Sequence, residues 1–114
     1  MTIEFEITET NSGEIRFAIY DSKENHMEKE FRTATSSVEN NTAKINLENM
    51  PKGTYSFSYY HDVNNNNELD KNMMGIPKEP YGFSNGEKGR FGPPSFEESK
   101  IVITKDTTLQ IKIK

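Results

Sequence analysis

Residues 2–8 read TIEFEIT, and this stretch decides the fold. Ile3, Phe5 and Ile7 fall on one face, and Glu4 and Glu6 fall on the other. Successive side chains of a strand point to opposite faces, so this is the pattern of a half-buried strand. The pattern recurs along the chain. In residues 14–20, Ile15, Phe17 and Ile19 point inward; Ala43, Ile45 and Leu47 mark a third strand. Residues 54–61, TYSFSYYH, set Tyr55, Phe57 and Tyr59 against Ser56, Ser58 and Tyr60. Two more strands follow, with Ile101 and Ile103 inward in 100–104, and Leu109, Ile111 and Ile113 inward in 107–114. Residues 27–35 alternate weakly around Phe31 and read as an irregular loop or short edge strand. Asn11-Ser12-Gly13, Met50-Pro51-Lys52-Gly53 and Lys105-Asp106 supply turn chemistry between these segments. No segment holds a helical period over three turns. The expectation is an all-β, antiparallel β-sandwich of about seven strands, one domain over residues 1–114.

Composition narrows the function classes. Hydrophobic residues make up only 32% of the chain, which places it near the disordered regime, but twelve Phe and Tyr residues and the clean alternation argue for a packed core. The net charge of −4, with Lys and Glu interspersed, gives no basic footprint for nucleic acid. With no cysteine, disulfides and zinc–thiolate sites are excluded. No apolar run approaches the roughly 18 residues of a membrane span. No signal peptide is read at the start of the sequence, where Met1 leads directly into a strand.

Residues 61–96 interrupt the alternation and read as one long ordered loop. Most connections in small domains run about 4–6 residues, so a loop of this length needs something to hold it. Asp62, Asn64, Asn66 and Asp70 stand at the spacing of a calcium-binding loop, with Glu68 placed to offer its backbone carbonyl. The position that normally needs Gly is Asn67, and the position that should be a bidentate Glu is Met73. This is therefore no EF-hand, but an EF-like loop on a β scaffold. Glu79, flanked by Pro77 and Pro80, is the candidate for the missing carboxylate. Two charges from Asp62 and Asp70 suggest a weak site, with Kd on the order of 10⁻⁴–10⁻³ M. The alternative is an Asn-rich turn whose side chains bond their own backbone.

The run Pro51-x-Gly53-Thr54-Tyr55, then His61-Asp62-x-Asn64-x-Asn66 and Leu69-Asp70, resembles the uncharacterised bacterial family DUF2141. The resemblance continues through Gly75-Ile76-Pro77-Lys78-Glu79-Pro80-Tyr81-Gly82-Phe83-Ser84-Asn85 and ends with Phe91-Gly92-Pro93-Pro94-Ser95-Phe96-Glu97. Residues 13–21 are similar to the family's first half. The resemblance implies a transthyretin-like or immunoglobulin-like sandwich, an exported or periplasmic location, and a metal at the Asp62 loop. The chain departs from the family at Asn67, usually Gly, and at Val63, often polar.

Three functions follow as expectations. The first is a non-catalytic binding or structural module, not an enzyme, with calcium as a folding cofactor. The second is a carbohydrate- or peptide-binding module, with Tyr81, Phe83, Phe91 and Phe96 as its contact face; the alternative is that these aromatics form the loop's own small core. The third is a hydrolase using His61 with Asp62 or Glu79, which requires an exposed His61. The partner expected is a protein or glycan, and the chain is expected to be a monomer or weak oligomer.

Overall fold

The computed structural model describes residues 1–7, 12–64, 80–86 and 94–113. Among them are eight strands: β1 (Thr2–Ile7), β2 (Glu14–Tyr20), β3 (Arg32–Ser37), β4 (Thr42–Asn46), β5 (Gly53–Asp62), β6 (Tyr81–Phe83), β7 (Ile101–Ile103) and β8 (Thr108–Ile113). One sheet runs β4-β1-β8; the other runs β3-β2-β5-β6, with β7 also paired to β5. The alternation read from the sequence explains the layering. Ile3, Phe5 and Ile7 of β1 share one buried core with Ile15, Phe17 and Ile19 of β2 and with Tyr55 and Phe57 of β5. Fully burying such a side chain contributes about 1.5–3 kcal/mol, so this row dominates the stability. Phe5 and Tyr59 meet edge-on across the two sheets, with ring centroids 5.0 Å apart.

Three features differ from the sequence reading. First, β1 and β8 run parallel, in register from Thr2 opposite Thr108 to Ile7 opposite Ile113; the other strand pairs are antiparallel. Strands β7 and β8 belong to different sheets, so the chain crosses the sandwich and arrives alongside β1 in the same direction. Alternation carries no direction, so it could not reveal this. Second, the weak segment holds the edge strand that is one of its two readings, but placed later in the chain: β3 starts at Arg32, runs on to Ser37 and pairs only with β2. Its side chains alternate between half-buried and exposed, which leaves almost no apolar signal.

Third, residues 61–96 are not one continuous loop. Tyr81–Phe83 pairs with β5, Ser84–Gly86 forms a 3-10 turn, and Phe96 opens a one-turn helix, α1 (Phe96–Ser99). Gly82 leaves room for the Tyr59 ring across this pairing, since a Cβ there would lie 2.2 Å from the Tyr59 hydroxyl. Along this side of β5, β7 pairs with residues 53–55 and β6 with 58–60. Ser84 occupies the gap: Phe57 N–H donates to its Oγ at 3.1 Å, and its hydroxyl donates to the Ser99 carbonyl. Helix α1 is held by a capping box, in which Ser95 Oγ accepts from Glu98 N–H and Glu98 accepts from Ser95 N–H.

Candidate functional site

The face of the larger sheet that points away from the core carries three rows of side chains, set by strand register. The middle row is Thr33, Ala18, Ser58 and Phe83. On one side stand Thr35, Arg16, Tyr60 and Tyr81; on the other stands Tyr20. On β2 the small Ala18 stands between Arg16 and Tyr20, and on β5 the small Ser58 stands beside Tyr60, which makes a trench that Phe83 closes at one end. Two ridges four residues apart along a strand lie roughly 13 Å apart. The resulting groove has a volume of about 460 Å³, with Met27 and Glu30 completing its wall on the Tyr20 side. That size lies within the range of small-ligand sites, about 300–1,000 Å³. A larger hollow of about 730 Å³ lies over the other sheet. There Glu4 faces Lys44 and Glu6 faces Lys112, the alternating charges of a solvated surface.

Several contacts build the groove's walls. Tyr81 is 42% exposed, whereas Phe83 and Phe96 are buried, so Tyr81 presents a ring, Phe83 backs it, and Phe96 packs instead against His26. Tyr81 and Phe83 pack edge-on, 6.0 Å apart. Opposite them, Met27 has a left-handed backbone (φ 60°) and is 37% exposed. A non-Gly residue held there stores about 1–3 kcal/mol of strain, which its surroundings must offset. The neighbouring His26 supplies that hold. Its Nε2–H donates to the Pro94 carbonyl at 2.7 Å, and its Nδ1 lies 2.7 Å from Ser56 Oγ. A carbonyl can only accept, so in the neutral ring Nδ1 accepts from the Ser56 hydroxyl. Tyr20 and Phe96 pack against the ring edge-on at 5.8 and 5.9 Å. A serine–histidine pair at this distance resembles a nucleophile and its base, but Ser56 has no exposed surface, so no substrate can reach it. Burial pushes the Tyr20 hydroxyl up from its ordinary pKa, Ser58 lowers it, and the Glu30 carboxylate raises it.

The expected metal residues are only partly on view. Asn66, Glu68, Asp70 and Glu79 lie outside the described residues, as does Phe91. Asp62 is fully buried at the end of β5, and Arg16 Nε–H donates to its Oδ2 at 2.8 Å. That bond is the main cause of the raised pKa of Arg16, ahead of the opposing effect of burial. Asn64 is exposed two residues on. Among the described residues, no group of three or more His, Asp or Glu is placed to hold a metal. His61 is 1% exposed, and its Nε2–H donates to the Ser12 carbonyl at 2.6 Å. Gly13 lets this junction close: its φ is +81°, and a Cβ there would lie 2.2 Å from the Asp62 carbonyl oxygen.

Residues 3–112 match a family model described as an uncharacterized protein conserved in bacteria. The chain belongs to the DUF2141 family. No curated protein and no solved structure matches it. In this DUF2141 chain the calcium-like spacing and the aromatic run were legible from sequence, but the groove between Ala18 and Ser58 was not. Its signal was present in the outward set Arg16, Ala18 and Tyr20, where a small residue separates two large ones. No helix among the described residues of the DUF2141 domain is long and apolar enough to cross a membrane.

Proposed function

We propose that this DUF2141 chain is a non-catalytic binding module, and that its binding face is the groove over Ala18 and Ser58. One observation carries the reading. Tyr81 stands 42% exposed on the wall of a groove of about 460 Å³, while the buried Phe83 packs edge-on against it. Exposed aromatic rings over a recessed floor are what a binding site offers and what a stability core does not. The hydrolase reading has less support, because a 1% exposed His61 that donates to the Ser12 carbonyl is poorly placed to take a substrate proton. Export to the periplasm or beyond, and an immunoglobulin-like or transthyretin-like sandwich, are part of the proposal through the family resemblance.

Calcium at the loop that begins with Asp62 and Asn64 belongs to the same proposal, as a folding cofactor. The Asp62 carboxylate would share its charge between Arg16 and the ion, which favours a weak site. At a Kd of about 10⁻⁴ M, 1 mM calcium stabilises the fold by roughly 1.4 kcal/mol. Thermal melts in EDTA, calcium and magnesium test this part; a calcium-specific rise lost in Asp62→Ala supports it, and equal melts in all three count against it.

The groove is tested by Ala18→Leu, which raises the floor without touching the core. The chain has five tyrosines and no tryptophan, so tyrosine emission reports on the site. Panels of glycans, peptides and small ions should yield a ligand that perturbs this emission. Ala18→Leu should abolish the response and leave the melting temperature within a few degrees. A ligand that binds both forms equally places the binding face elsewhere.

A further inference from the structure

The groove's chemistry restricts what it can take. This step rests on the reading of the groove as the binding face. A sheet face presents no backbone hydrogen-bonding groups, because those lie in the ladders. An extended peptide laid on it would leave its own amides poorly paired, at a cost of about 1–3 kcal/mol each. That favours a ligand without an amide backbone.

Charge decides further. Two formally charged side chains line the groove, Arg16 and Glu30. Arg16 is committed to Asp62 at 2.8 Å, with Glu14 at 3.8 Å. The groove's lining and this neighbouring pair together hold one cation and three carboxylates. Glu30 is exposed on the wall, beside Tyr20 and opposite Tyr81. Aromatic faces carry negative quadrupole charge and attract cations, most strongly those with apolar substituents that shed water easily. Met27 adds a polarisable thioether on the same wall as Glu30.

We infer that the groove binds a small organic cation, an alkylated ammonium group seated against the Tyr81 ring and Met27, with Glu30 as its counter-ion and Ala18 beneath it. The source is a free solute. A headgroup fixed in a bilayer would bring a phosphate to a domain whose net charge is −4.

The test compares a cation with its uncharged isostere. The full chain is titrated with choline and with 3,3-dimethylbutan-1-ol, its uncharged isostere, while the Tyr81 ring resonances are followed. Choline should bind roughly tenfold more tightly than the alcohol. Glu30→Gln should cut that preference roughly threefold, whereas Glu28→Gln, outside the groove, should leave it unchanged. Phosphatidylcholine vesicles should not carry the protein on flotation. Equal binding of choline and alcohol overturns the cation inference but leaves the groove as a binding face. So does a glycan that moves the Tyr81 resonances when choline does not. Flotation with vesicles in the absence of free choline binding overturns it in favour of a membrane surface.

Discussion

Asp62 is a carboxylate with no exposed surface, and Arg16 forms an ion pair with it. Withdrawing a charge from water costs several kcal/mol unless it is paired, so removing the partner is worse than never having had the pair. Arg16→Ala should therefore lower unfolding stability by about 3 kcal/mol. Urea melts check this, and a loss under 1 kcal/mol would mean that other groups satisfy Asp62. At this scale the sequence was half legible. Asp62 stood out by its spacing to Asn64, Asn66 and Asp70. Its partner lies 46 positions away, and only the pairing of β2 with β5 brings them together. Similarly, Tyr60 was readable as outward-facing, but not as part of a ridge, because the ridge is completed by Arg16 and Tyr81 on other strands.

Strand β5 shows what happens at the scale of an element. It is ten residues long and pairs on one side with two short strands that do not meet. Ser84 bridges the break, with no exposed surface and both of its bonds to backbone groups. Ser84→Ala should leave the Phe57 N–H and the Ser99 carbonyl without these partners, at a cost of about 2–3 kcal/mol. Hydrogen exchange at Phe57 should accelerate more than in the β1–β4 ladder; unchanged protection would show that water fills the gap. Ser84 was invisible in sequence for a physical reason. A three-residue strand such as Tyr81–Phe83 is shorter than any reliable period, and a serine that mends a ladder resembles one in a turn. The long strands were legible because five or more residues alternate over one core, whereas β3 lost its signal at the sheet's edge.

For the whole molecule, buried phenols set an alkaline limit. Burial pushes Tyr59 above its ordinary pKa, and Tyr20 likewise, with Glu30 adding to the rise and Ser58 opposing it. A raised folded-state pKa means the native state holds the proton more tightly than the unfolded chain. Stability from this source is complete below the unfolded value of roughly 10 and falls as pH rises through the folded value. The melting temperature should thus decline above roughly pH 10, and part of the phenolate absorbance should appear only with unfolding. Full ionisation of all five tyrosines in a still-folded protein would contradict this.

The parallel pairing of β1 with β8 has a mechanical consequence. Tension applied at Thr2 and at Ile113 draws the two strands past one another along their length. Every rung of that ladder is then loaded together, in shear, instead of opening one after another like a zip. Pulled from these ends, the domain should yield at a much higher force than when pulled across β5 and β6, whose antiparallel rungs can peel singly from the open end. Single-molecule extension with the two attachment geometries would measure the difference. With the load carried by that clamp, the larger sheet and the groove on its outer face keep their shape while the ends are strained.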